Sequence, residues 1–203
     1  MTAPPRRTQQ ERRERTETAL VAAAAEVVVE SGVRALTLAR VGERAGYSRG
    51  IVTHHFGSKQ GLVEALTSSI QGGFVPGLAE MPPGPERLLA LIDGYLAQLT
   101  ELGTANRAFL LLWAEAATAA ELAATFRERD EGFRADLRED VEAGIAAGTI
   151  RADVHAADVA VAVVGQLRGI GMQRLLDPDA VDTERLRRSV TAQWRRALAP
   201  EGA

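Results

Sequence analysis

Three helix starts crowd into 22 residues, at Thr37, Ser48 and Ser58, with Gly46 and Gly57 standing between them. No long element fits there. Thr37 is placed to cap a short helix that carries Leu38, Val41 and Ala45 at core spacing, and Gly46 ends it. Ser48 then caps a helix of barely two turns through His54, Phe56 and Gly57 turn the chain, and Ser58 caps a fourth helix. A short helix, a three-residue turn and a second short helix form the geometry of a helix-turn-helix, whose second helix enters the major groove of DNA. An ordinary three-helix corner has the same spacing, so the spacing alone leaves both open.

The rest of the chain reads as α-helix as well. Almost nothing alternates apolar with polar residues over a strand's length, and aromatic residues are only 4% of a chain that is 46% hydrophobic. After an arm containing Pro4, Pro5, Arg6 and Arg7, Thr8 and Glu11 have the spacing of a capping box, and Leu20, Ala23, Ala24, Val27 and Val28 form one apolar face that stops at Gly32. The Pro- and Gly-rich break at 72–85 and the helix before it mark the boundary between a domain at 1–66 and a second at 67–203. Beyond it, Pro85 suits the first turn of a helix with the stripe Leu88, Ile92, Tyr95, Leu96 and Leu99, and Thr104 is placed to cap the next. That helix is apolar nearly all round through 109–113, which predicts an interior position. Leu122 to Ile145 keep one apolar side, with the acid pairs Asp130–Glu131 and Glu139–Asp140 expected on a solvated face. A helix from Asp158 to Leu176 is apolar on several sides, and Asp182 caps the last one. The expected fold is all-α, about nine helices in two domains.

Charge is divided unevenly. Residues 1–66 hold ten basic side chains against seven acidic ones, net +3, while 67–203 are net −6. A basic head on an acidic body is expected where one domain alone meets phosphates. With no cysteine, disulfides, thiolate metal sites and cysteine nucleophiles are excluded together. No apolar run reaches the roughly 18 residues a membrane span needs, so the expectation is a cytoplasmic chain without a membrane partner. Enzyme signatures are missing: there is no Gly-x-Ser-x-Gly elbow, phosphate-binding Gly-rich loop or His-Glu-x-x-His, and no catalytic residue, metal or cofactor is expected. His155, beside Asp153 and Asp158, reads as the start of a helix rather than a metal ligand.

The residues of the crowded segment go further than their spacing. Leu36-Thr37-Leu38, the run from Val41 through Val52, and His55-Phe56-Gly57-Ser58-Lys59 closely resemble the DNA-binding signature of the TetR family of regulators over about 50 residues. The resemblance implies that Thr37 and Lys59 touch backbone phosphates, and that Ser48, Arg49, Gly50, Thr53, His54 and His55 lie on or beside the recognition helix. Tyrosines are frequent in that family where this chain has Thr53 and His54, so contacts made by those rings do not transfer. Lys59 is the only lysine in the chain. At a helix start its point charge adds to free backbone N–H groups and the positive end of the dipole. Arg6, Arg7, Arg12 and Arg13 suit an arm entering an adjacent minor groove, or plain solvated charge.

The expected function is a DNA-binding regulator, a repressor that holds a palindromic operator as a homodimer and is released by a small molecule. A single short recognition helix reads few base pairs, so useful affinity needs two copies on successive half-sites. Val163, Leu167 and Ile170 with Leu186, Val190 and Trp194 are expected to build the dimer seam. Tyr95, Gln98, Phe109, Trp113, Phe126 and Gln166 are candidates to line an effector pocket, because aromatics and a few amides suit a mainly apolar cavity; each aromatic suits core packing equally well. The alternatives are a dimeric DNA-binding regulator that answers to no ligand, and a helical small-molecule-binding protein or enzyme whose head merely resembles a DNA reader.

Overall fold

The computed structural model describes residues 8–71, 75 and 77–200. Arg6 and Arg7 of the arm lie outside the described residues. Among those described there are nine α-helices and no strand: α1 (Gln9–Ser31), α2 (Leu38–Ala45), α3 (Arg49–Phe56), α4 (Lys59–Gln71), α5 (Pro85–Gln98), α6 (Thr104–Glu115), α7 (Ala120–Ala146), α8 (Ala156–Leu176) and α9 (Thr183–Leu198). No single one of them is long and apolar enough to cross a membrane. They sort into two compact units, one of α1 to α4 with α6 and the start of α7, the other of α5, the remainder of α7, α8 and α9.

In the first unit, local chemistry sets the helix ends. Thr8 and Glu11 form the reciprocal capping box: the Glu11 N–H donates to Thr8 Oγ1 at 3.2 Å, and the Thr8 N–H to Glu11 Oε2 at 2.9 Å. The buried face of α1 is mostly small, with Ala23, Ala24 and Ala25 beside Leu20, Val27 and Val28, so a neighbouring helix can approach closely. That neighbour is α6, which lies beyond residue 66 in sequence yet packs in this unit, mainly on α1. Its Ala108, Phe109, Leu110 and Leu112 are all buried, as an element apolar on every side requires. Its N-cap is Gly103 rather than Thr104, and no side chain caps it. On the outer side, Arg44 of α2 donates to Glu26 at 2.6 Å and to Glu30, tying α2 to α1.

The second unit is built around Leu88, Ile92, Leu96, Leu137, Val141, Val163 and Leu167, drawn from α5, α7 and α8, with Val190 and Leu198 of α9. The acid pairs of α7 are not uniformly solvated. Asp140 is wholly buried, accepting from the Gly84 N–H at 3.0 Å and from Arg87 Nε at 2.6 Å, so a carboxylate of α7 caps the N-terminus of α5. Asp130 is half-buried and lies 3.5 Å from Arg168, a buried arginine that donates to Tyr95 Oη at 3.0 Å and stacks over the Tyr95 and Phe133 rings. Glu131 and Glu139 do face solvent. Asp182 caps α9 by accepting from the Arg185 N–H at 2.9 Å, and Arg187 and Arg195 reach back to Asp93 and Glu86 of α5 at 2.6 and 2.8 Å.

Candidate nucleic-acid interface

Two buried valines, Val41 on α2 and Val52 on α3, anchor the short helices against the head's core. Thr37 Oγ1 accepts from the Arg40 N–H at 3.2 Å to start α2, and Gly46 ends it in the left-handed region at φ 75°. The Tyr47 N–H then folds back onto Gly42 O at 2.7 Å. This closure needs a glycine at 42, since a Cβ there would sit 2.8 Å from Tyr47 O. Ser48 Oγ caps α3 by accepting from the Ile51 N–H at 3.4 Å, and Ser58 Oγ accepts from the Gly61 N–H at 3.1 Å at the start of α4. Gly61 is required in turn, because a Cβ would fall 2.2 Å from Phe56 O.

With Val52 turned inward, a residue step of about 100° places Gly50 and His54 on the opposite side of α3, flanked by Thr53 and Ile51. Arg49, Gly50, Thr53 and His54 are exposed, as are Thr37 and Ser48. These expected contact residues are therefore all open to solvent, Gly50 and His54 on the face of α3 opposite its buried anchor. Arg49 makes no side-chain hydrogen bond or ion pair among the described residues, which leaves its guanidinium available to a partner. Thr53 Oγ1 already donates to Arg49 O at 3.0 Å, so its oxygen can only accept from elsewhere. His55 differs from the rest: it is half-buried, its ring 5.9 Å from His54 and 6.0 Å from Phe56, with Nδ1 sealed from solvent at the joint of α3 and α4. Lys59 is at the first position of α4 and half-buried, its Nζ paired with Glu121 Oε1 at 3.0 Å.

Two residues of this surface are missing from the expected set. Among the described residues of the head, Ile51 and Tyr47 are the large apolar side chains left exposed, at 39% and 36%. The signal was present in sequence: once Val52 is the anchor of a two-turn helix, its neighbour Ile51 must fall outside the buried face. Glu121 had no such signal.

The other expected sites are divided between the two units. Phe109 and Trp113 lie in the first unit, Phe109 buried and Trp113 half-buried. Tyr95 and Phe126 lie in the second, Tyr95 half-buried under Arg168 and Phe126 buried. Gln98 is exposed at the end of α5. Gln166 accepts from Trp194 Nε1 at 2.7 Å and donates to Gln193 at 3.4 Å, on the side where α8 meets α9. There it borders an open cleft of about 460 Å³ with Gly169, Ile170, Val181 and Leu186. Of the expected seam, Val163, Leu167, Ile170 and Val190 are spent within the protomer's own core, and Leu186 and Trp194 pack partly against it. An apolar helix gives its largest side chains to the nearest core. Of the apolar and small residues of α8, Val161 at 59%, Ala162 and Gly165 stay exposed with Gly169 half-buried in the same row, and Leu176 at the end of the helix is 80% exposed.

Comparison with known proteins bears on the family and the fold. Residues 20–66 match the family described as bacterial regulatory proteins, tetR family, and residues 84–199 match the BetI-type transcriptional repressor C-terminal family. The HTH-type transcriptional regulator BetI of Escherichia coli O17:K52:H18 is 35% identical over 101 residues, which are 47% of this chain and 52% of that protein; the chain thus spans about half the length of the relative it matches. A TetR-family regulator from Rhodococcus sp. superposes with a TM-score of 0.76 at 20% identity, over 92% of this chain and all of that one. NalD, the secondary repressor of the MexAB-OprM multidrug efflux pump in Pseudomonas aeruginosa, superposes at 0.68 with 23% identity, over 92% of this chain and 97% of its own. At these identities the likeness is one of fold.

Proposed function

Because the chain belongs to the TetR family of regulators, we propose that it is a transcriptional repressor that occupies a palindromic operator as a homodimer in the cytoplasm and is released by a small-molecule effector. The observation that carries this reading is the presentation of α3: Val52 holds the helix from beneath while Gly50 and His54 lie opposite it and Arg49 and Thr53 are exposed on its flank. Arg49 reads base edges, where a guanidinium pairs with guanine's two acceptors for about 1–3 kcal/mol of discrimination. Lys59, Thr37 and Ser48 hold phosphates, which fix register without reading sequence.

The dimer follows from the size of the reading element, since two copies on half-sites about 34–36 Å apart supply what one two-turn helix does not. The outward row of α8 with Leu186 and Trp194 is the surface best suited to meet a second copy, because its glycines let a partner backbone come close. An effector acts by binding one arrangement of the protein better than another, and its effect on DNA affinity equals DNA's effect on its own.

Equilibrium titrations of the purified protein test the reading, on a duplex enriched from random DNA by the protein itself and on a scrambled control, at several salt concentrations. Lys59→Ala is expected to weaken both duplexes alike and to reduce the slope of log affinity against log salt by roughly 2 for a dimer. Arg49→Ala is expected to relax specificity at one position per half-site. If no duplex is enriched over random, the reading fails. A regulator that binds DNA but answers to no ligand would show the same titrations and lose them to no compound.

A further inference from the structure

We propose that Gly50 and Ile51 together form an apolar reading edge on α3 that recognises the 5-methyl group of a thymine in the major groove. The inference rests on the DNA-binding reading above and deepens it.

Among the described residues nothing requires position 50 to be glycine. Its backbone is ordinary helix, and a Cβ at 50 would meet only Ser48 Oγ at 3.7 Å, a normal contact, whereas Gly42 and Gly61 in the same motif are held by backbone atoms 2.8 and 2.2 Å away. A glycine inside a two-turn helix weakens that helix relative to alanine. The close approach that excludes a side chain at 50 therefore belongs to something outside the chain, against the outer face of α3.

Ile51 is the complementary anomaly. Val41, Val52, Leu62 and Leu66 of this motif are wholly buried, yet Ile51 stays exposed beside Gly50 and one turn before His54. A β-branched side chain on a helix holds essentially one rotamer, so presenting it to a partner loses little entropy. It offers methyl groups and no hydrogen-bonding atom. Among the base edges of the major groove, the apolar feature is the thymine methyl; all the others are donors or acceptors. Arg49 and His54 carry the polar reading on either side, and the bare Cα of Gly50 lets the base edge come near enough for Ile51 to touch it.

Deoxyuridine tests this, because it differs from thymidine by that methyl alone. Full-length protein is titrated against the duplex it enriches from random DNA, with each thymidine replaced in turn in one half-site and then in both. For wild type, replacement at one position per half-site is expected to weaken binding about fourfold, and about fifteenfold when both half-sites are changed, the factor for one and for two buried methyls. Ile51→Ala is expected to bind thymidine and deoxyuridine duplexes equally at that position. Gly50→Ala is expected to melt at the same or a higher temperature while losing affinity for the enriched duplex, which separates a blocked approach from a damaged fold. Should every deoxyuridine duplex bind wild type as the parent does, or should the discrimination survive in Ile51→Ala, the thymine edge is overturned while DNA binding stands. Should wild type enrich no duplex, both readings fall together.

Discussion

Lys59 Nζ lies 3.0 Å from Glu121 Oε1, so the chain's only lysine, at the first position of α4, is held by a carboxylate from the first turn of α7. A phosphate arriving at Lys59 must take the place of that carboxylate. Both side chains are partly solvated, which puts the exchange in the range of an exposed pair, about 0.5–1 kcal/mol. Glu121→Gln is therefore expected to tighten binding to specific and scrambled duplexes alike, roughly two- to fivefold per protomer. The same change in a Lys59→Ala background should do nothing. If Glu121→Gln tightens binding equally with and without Lys59, the effect is general charge and the pair does not gate the contact.

The glycines of the head divide into two kinds, and melting temperatures distinguish them. Gly61→Ala forces a Cβ onto Phe56 O, a backbone atom that cannot swing aside. It should destabilise the protein by about 1–3 kcal/mol, as overpacking does. Calorimetry of Gly61→Ala next to wild type measures it, and an unchanged melting temperature would mean that the α3–α4 joint yields more easily than its geometry indicates.

Acid titration reports on the buried cap of α5. Burial pushes the Asp140 carboxyl above its ordinary range and neighbouring Glu139 adds to this, while the Gly84 N–H and Arg87 oppose it. A group whose folded pKa is raised binds its proton more tightly in the folded chain, so its contribution to stability improves as pH falls through the folded pKa towards the ordinary value of about 3.9. The melting temperature of wild type relative to Asp140→Asn should accordingly shift in favour of wild type between pH 7 and about pH 4. Glu131, whose carboxyl Arg138 and Arg134 hold below its usual range, works in the opposite sense but is exposed and contributes little. A shift towards Asp140→Asn on acidification would show that pairing with Arg87 outweighs burial.

The outward face of α8 can be tested without touching the core. A Cβ at Gly165 meets nothing within 4 Å in the protomer, so Gly165→Arg should keep its helical circular dichroism at 20 °C. Sedimentation at micromolar concentration is expected to give a dimer for wild type and a monomer for this variant. A variant that still sediments as the dimer would move the seam away from Gly165.

What the sequence by itself determined is the set of features decided within a few residues. The caps at Thr8, Thr37, Ser48, Ser58 and Asp182 and the left-handed stop at Gly46 are all hydrogen bonds or backbone conformations spanning three or four positions, and all are found where the pattern places them. Thr104 is the exception, because α6 begins one position earlier than the pattern places it: Gly103 takes the extended N-cap conformation and Thr104 is already helical, so its side chain does not cap. An apolar stripe shows that a face is covered and is silent about what covers it. Only tertiary structure decided that α6 covers the alanines of α1, that Val163, Leu167, Ile170 and Val190 serve the protomer's own core, and that Asp140 caps a helix more than fifty residues away. The same holds for Lys59 and Glu121, 62 positions apart: each charge is legible alone, but the pairing exists because packing brings two helix starts close enough for Nζ and Oε1 to lie 3.0 Å apart, and hydrophobic burial, which drives that packing, carries no label for its partner.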